Sequence, residues 1–328
     1  MATHATAEAG RNAGDNMSEA PRRLVIERQD FAVPPELMGR DPNEAPGEHV
    51  GGLRAELRVR DGAVRLGRSY YQNPLRVFHP IEEYPGGPAL LLLMNSTAGF
   101  LDGDGQWVEL EIGPGVHAFV TSQSAGRIHP CPRWHASARF DLRVAAGGVL
   151  CCLPGPTIPF AESRFCQRTE IFLEPGASIV WGDILLPGRT HYARGSERFA
   201  FDRLIQELRI IREGRLVHHE RFAWKGPWND DEAAWHFGPG EAAASLFISG
   251  KVTRESLPEL RDGEVIAQTT AMGDTCVRLL GNDAEQVVAV AARIALTAAA
   301  RLAGHAEPWF LDSNRLAPSH WFTAPPAT

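Results

Sequence analysis

The chain has 328 residues, 44% of them hydrophobic, with 33 Lys plus Arg against 40 Asp plus Glu for a formal charge of -7. That is enough apolar material for one large domain or two ordinary ones, and the acidic balance gives no basic footprint for nucleic acid or an anionic membrane surface. No apolar run reaches the roughly 18 residues of a spanning helix, residues 1–16 hold no apolar leader-like stretch, and the five cysteines are expected as reduced thiols in a cytoplasmic protein.

In chain order, residues 1–50 carry Pro34, Pro35, Pro42 and Pro46 and no sustained periodicity, which reads as a loosely docked or mobile extension. From Leu53 the pattern alternates (Leu53, Ala55, Leu57, Val59) up to Asp61-Gly62 and resumes at Val64 and Leu66, a hairpin by pattern and turn. Leu90–Met94 has the length of a buried strand and feeds a loop rich in glycine, Asn95 to Gly105, that contains Asp102 and Asp104.

Four further strand–turn–strand units follow about 30 residues apart. Trp107–Ile112 turns at Gly113-Pro114-Gly115 into Val116–Thr121, Ala138–Val144 at residues 145–148 into Val149–Leu153, Thr169–Leu173 at Glu174-Pro175-Gly176 into Ser178–Ile184, and Leu204–Ile211 at Arg212-Glu213-Gly214 into Leu216–Phe222. Successive units of this kind without helices between them predict a mainly β fold: stacked antiparallel hairpins in a β-helix-like two-layer body. Pro227–Gly240 reads as a loop rich in Trp and Gly, and Ser256–Arg261 as a short helix. The clearest helix starts at Asp283, an N-cap with Gln286 three residues on. It carries Val287, Ala291, Ile294, Ala298 and Leu302 on one face and stops at Gly304. This gives one β-rich domain over 51–306, with one or two C-terminal helices, and an irregular tail over 307–328.

The chemistry-bearing residues form no self-sufficient catalytic set. Asp102 and Asp104 would share a face of an extended strand roughly 7 Å apart, open to a metal or an acid/base pair, or to ordinary turn hydrogen bonds. An EF-hand loop counted from Asp102 fails, because Trp107 and Gly113 stand where glycine and a bidentate glutamate are required. His129, Cys131 and His135 are metal-ligand types in a Pro-interrupted loop with no standard zinc spacing. No Gly-x-Ser-x-Gly turn is present. A carbohydrate-active enzyme would require Asp102 or Asp104 to pair with another carboxylate in an open groove.

The order of motifs resembles the urease accessory protein family UreD, called UreH in some organisms. Asn95 to Asp104 is similar to the family's Asn-Pro-Gly-Gly loop running into Gly-Gly-Asp, with Ser96-Thr97-Ala98 in place of Pro-Gly-Gly and Asp102 in place of a glycine. Thr121-Ser122-Gln123-Ser124-Ala125 resembles its Thr-Gln strand. Leu153-Pro154-Gly155-Pro156-Thr157-Ile158-Pro159-Phe160 with Gln167, and Gly188-Arg189 through Phe199, resemble the two segments that follow, and Val277-Arg278-Leu279-Leu280-Gly281 resembles the lead into its last helix. The resemblance implies a protein without catalysis that binds the urease apoprotein and the accessory protein UreF, which recruits the nickel-carrying GTPase UreG, in a hetero-oligomer dimeric through UreF. It implies no tightly bound cofactor and a transient passage of nickel through the body. Asp102, Asp104, His129, Cys131 and His135 are then candidate transient metal contacts, and Thr121, Gln123 and Asp183 candidate lining residues. A paralogous scaffold serving another metalloenzyme is the alternative within the same class.

Overall fold

The computed structural model describes residues 25–38 and 49–310, apart from 191, 193, 194, 239, 255 and 256. The rest of the expected N-terminal extension and of the C-terminal tail lies outside the described residues.

The first half runs β1 (Val50–Arg60), β2 (Ala63–Gln72), β3 (Leu75–Val77), β4 (Ile81–Glu82), β5 (Ala89–Asn95), β6 (Gly105–Ile112), β7 (His117–Ser122), β8 (Gly126–Ile128), β9 (Ala136–Val144) and β10 (Val149–Leu153). Then come β11 (Pro156–Pro159), β12 (Arg164–Leu173), β13 (Ser178–Leu185), β14 (Arg203–Arg212), β15 (Arg215–Lys225) and α1 (Asp230–Phe237). The chain continues through β16 (Ala242–Ile248), β17 (Gly263–Thr269), β18 (Thr275–Gly281) and α2 (Ala284–Leu302). One sheet has the order β15-β14-β12-β9-β6-β1-β2; the other, β17-β18-β16-β13-β10-β7-β5-β3. The mainly β, two-layer body with a C-terminal helix is as expected from the sequence.

The pairing inside the layers differs from the expectation of antiparallel hairpins. The turns fall where predicted, but three of them are corners. β6, β9 and β12 lie in the first sheet and β7, β10 and β13 in the second, each paired in parallel with its counterpart one tier away. The chain therefore coils between layers, as in a β-helix. Gly115, Gly147 and Gly176 take positive φ (65°, 70° and 75°) at successive corners, where each tier must reverse in the same few residues. The hairpins β1–β2 and β14–β15 are antiparallel as expected. A turn motif does not say whether the strands beside it share a sheet; the strands do. β15 alternates in exposure along its length, whereas all of β10 and all but one residue of β6 are buried, which is the mark of parallel strands covered on both faces.

The outer cover comes from both ends. Residues 25–38 lie across the first sheet: Ile26 and Phe31 pack on Trp107, the Gln72 side chain bonds both the N–H and the C=O of Ile26 at 3.1 Å, and Arg139 donates to the Asp30 carbonyl at 2.8 Å. On the second sheet α2 packs against β10, β13, β16 and β18. Asp283 caps it by accepting the N–H groups of Glu285 and Gln286, and Val287, Ala291, Ile294 and Ala298 are buried as its spacing predicts. Among the described residues no helix is long and apolar enough to cross a membrane.

Two local expectations fail. Asn229 caps α1 inside the stretch read as loop. Leu257–Leu260 is not helical; Pro258 disfavours helical geometry at the residue before it, and Leu257 and Leu260 are buried beneath α2 instead. The start of the tail is also anchored, with Trp309 and Phe310 at 1% and 4% exposure. Trp309→Ala is therefore expected to lower stability by about 3–5 kcal/mol, read as a lower denaturant midpoint at unchanged slope.

Candidate functional site

Both sheets turn an apolar face inward, and alternation fixes which residues point there. On the first sheet the inward sets are Gln106-Val108-Leu110-Ile112, Phe165-Gln167-Thr169-Ile171 and Leu204-Gln206-Leu208-Ile210, with Ala138-Phe140-Leu142 on β9. Register then lines up the exceptions: Gln106 pairs with Ala138, Ala138 with Gln167, and Gln167 with Gln206. Three glutamines, each 5% exposed, form one row across the interior. The facing sheet supplies its own row, in which Asp183 pairs with Ser245 and Ser245 with Arg278.

The two rows meet in a polar seam. Gln167 Nε2 donates to Asp183 Oδ1 at 2.6 Å and Trp181 Nε1 to Oδ2 at 2.7 Å. Asn95 Nδ2 donates to Gln106 Oε1 at 3.2 Å. Arg278 donates to Ser245 Oγ and to Glu220. Gln106 Nε2 and Gln206 Nε2 are buried and find no partner among the described residues. Burial lifts the Asp183 carboxyl to about 6, against the two hydrogen bonds that favour its charged form.

Two cavities flank this carboxylate. One, of about 90 Å³, is lined by Asn95, Gln106, Gln123 and Gln167 and reaches the surface at Thr97 and Arg127. The other, of about 300 Å³, is lined by Gln206, Glu220, Ser245, Arg278 and Trp224 and reaches it at Glu264 and Ile266. Asp183 belongs to both walls. The arrangement is an interior polar strip with weak oxygen donors and amides, reached from two sides.

Of the lining residues expected from sequence, Asp183 is on this strip, and Gln123 lies exposed in the wall of the smaller cavity. Thr121 is in neither place. It is fully buried on the opposite face of β7, in phase with Phe119, which packs on Phe310. The expected metal contacts do not assemble: among the described residues no three His, Cys, Asp or Glu side chains are placed to hold an ion. Asp102 accepts the backbone N–H groups of Arg133 at 3.0 Å and Trp134 at 2.7 Å, and Asp104 accepts that of Leu101 at 2.8 Å. They hold loops. His129 lies 3.3 Å from the Ala98 carbonyl with its ring against Phe160. Burial pushes the Cys131 thiol up to about 11 and His135 down to about 4, so the first stays protonated and the second neutral.

The residues missed from sequence are Gln106, Gln206, Ser245, Glu220 and Arg278. Their signal was present: an amide stands at the inward phase of three strands whose other inward residues are largely apolar.

A two-layer β-helical body with a buried polar seam is the class that fold and site define. The model for the UreD urease accessory protein matches residues 49–311, and the chain belongs to that family. It is 36% identical over 173 residues to urease accessory protein UreD 3 of Methylorubrum populi, covering 52% of this chain and 55% of that protein. It is 28% identical over 251 residues to UreD of Acetivibrio thermocellus, covering 73% and 93%, and 37% identical over 178 residues to UreD 2 of Streptomyces griseus, covering 53% and 60%. The matched stretch thus spans little more than half of the first and third of these relatives.

Two outcomes follow from the geometry. Asp102→Ala takes the acceptor from the part-buried Trp134 N–H and the exposed Arg133 N–H and is expected to lower stability by about 1–3 kcal/mol, measured by denaturant unfolding. Asp183 takes up its proton at higher pH folded than unfolded, so the native state is favoured below its ordinary carboxylate range and loses that advantage as pH rises to about 6. Asp183→Asn removes this titration. Its stability relative to the native chain is expected to rise by up to about 3 kcal/mol between pH 4 and pH 7, read from unfolding curves at each pH.

Proposed function

We propose that this chain is a non-catalytic maturation factor that binds the urease apoprotein and, with UreF and UreG in a cytoplasmic hetero-oligomer, assists delivery of nickel to the urease active site. The observation that carries the reading is the polar seam through the body, with Asp183 on the wall of both cavities. Membership of the UreD family and the names of its relatives supply the urease context.

The chemistry of the lining is suited to an ion in transit. Nickel is held best by thiolate and imidazole, and less tightly by amide and hydroxyl oxygen. Gln106, Gln167, Gln206 and Ser245 offer the weaker kind, so an ion is partly desolvated and still released. Asp102 spends both oxygens and Asp104 one of its two on backbone N–H groups, which argues against the alternative of a carbohydrate-active enzyme built on them.

The test is co-expression of the chain with the same organism's urease subunits, UreF and UreG, followed by pull-down on this chain and assays of urease nickel and activity. Expected are a stable complex and a loss of both nickel and activity when the chain is absent. Asp183→Ala should keep the complex and lower nickel loading. A chain that captures none of these proteins and leaves urease unchanged overturns the reading and favours another metalloenzyme client.

A further inference from the structure

The two sheets end side by side. The first ends in β15 and the second in β17, and among the described residues no further strand pairs with either. Register fixes what each turns into the space between them, because residues opposite one another share a face. Glu220, Phe222 and Trp224 on β15 lie opposite the inward Leu208, Gln206 and Leu204. Glu264 and Ile266 on β17 lie opposite Leu280 and Arg278. Val265, between those two, is buried on the other side of its sheet, in the cluster beneath α2. Inward rows that are largely aliphatic deeper in the body thus end in aromatic rings and carboxylates, around the cavity of about 300 Å³.

One wall of that cavity is aromatic. Phe222 and Trp224 stack at 4.2 Å between ring centres with 22° between their planes. Trp228 backs Trp224 edge-on at 5.0 Å, and His236 flanks it at 5.9 Å. The facing lip is Ile266, 56% exposed. Three of the four carboxylates in the lining are engaged. Asp183 accepts from Gln167 and Trp181, Glu220 is paired with Arg278, and Glu207 lies 3.0 Å from His219 Nε2. Glu264 is exposed at the mouth and has no hydrogen-bond or ion-pair partner among the described residues.

We propose that this cavity is a binding site for a small organic cation, an amidinium or ammonium group on an apolar body. Aromatic faces are negative and attract a partly desolvated cation. The lining sets four carboxylates against one guanidinium and one imidazole, and the guanidinium of Arg278 is already taken by Glu220 and Ser245. An anionic guest therefore meets excess negative charge with its main counter-charge engaged. A neutral apolar guest covers Glu264 without pairing it, which costs hydration of the carboxylate. A guest that stacks its body on Phe222 and Trp224 and turns a positive head to Glu264 satisfies both walls. The volume is that of a small-molecule pocket at the lower end of the usual range. The site needs neither nickel nor a partner protein, so it stands or falls separately from the maturation role.

The full-length chain is titrated with benzamidine, benzamide and benzoate, which share a ring and differ in charge, and binding is followed by ligand-observed NMR. Expected are a benzamidine Kd below about 2 mM and binding of benzamide and benzoate at least about tenfold weaker. Two substitutions at exposed positions locate the site. Glu264→Gln removes the unpaired charge and should weaken benzamidine at least about threefold. Ile266→Arg sets a fixed cation at the mouth and should weaken it more than about tenfold. Unfolding midpoints check that both variants are folded; should one fail to fold, the other decides together with the charge series. A benzamidine Kd above that limit, benzamide or benzoate binding as tightly as benzamidine, or a folded variant that binds like the native chain overturns the proposal.

Discussion

In-register parallel stacking is the constraint on which the rest of the molecule depends. Once β6, β9, β12 and β14 are paired tier on tier, a residue type at one inward position acquires neighbours at the same height. Apolar residues stacked in this way make the core (Leu110, Leu142, Ile171, Ile210). Glutamines stacked in the same way make a strip of amides at one level of that core. A one-residue slip in any tier would send its inward set outward, breaking the core and the polar strip together. Fold and candidate site therefore rest on the same hydrogen-bond ladders.

That strip is expensive to keep dry. A buried amide with no partner costs on the order of 1–3 kcal/mol, and Gln106 and Gln206 each leave an Nε2 unpaired. The fold offsets part of this locally: Asp183 ties the layers together through Gln167, and Arg278 joins Ser245 and Glu220. A core selected for stability alone would have apolar residues at these three positions, as at the neighbouring Val108, Ile171 and Leu208. The polarity is a cost retained inside a scaffold whose other inward contacts are largely apolar.

Much of this was legible in the sequence. The turns, the two true hairpins, the Asp283 cap and the buried stripe of α2 follow from short-range rules, and the motif order pointed to the family. Layer assignment did not follow, because Gly113-Pro114-Gly115 suits a corner as well as a hairpin; only the burial of both faces of β6 and β10 separates them. The candidate site was less legible. Asp183 and Gln123 do line the cavities, but Asp102 and Asp104 drew attention as carboxylates in a Gly-rich loop, where acidic side chains commonly bond backbone N–H groups. Gln106 and Gln206 were passed over because an amide in one strand is unremarkable, and it gains meaning only when register places it beside another.

For the proposed transit of nickel, the balance of charge in the seam suits passage better than capture. Two unit charges 4 Å apart interact by about 4 kcal/mol at the effective dielectric near a protein surface, and a divalent ion doubles that per carboxylate. A lining of several free carboxylates would hold such an ion too firmly to let it go. Here Glu220 is paired with Arg278, Glu207 lies 3.0 Å from His219 Nε2, Glu264 stands at the exposed mouth, and the amides carry no net charge. Asp183 remains as the carboxylate between the cavities, with its proton affinity raised by burial to about 6. A cation arriving there would have to displace a proton near that pH and the Gln167 and Trp181 hydrogen bonds with it. A group whose proton competes with the ion and whose two donors reclaim its oxygens binds weakly by construction, as the proposed transit of nickel requires.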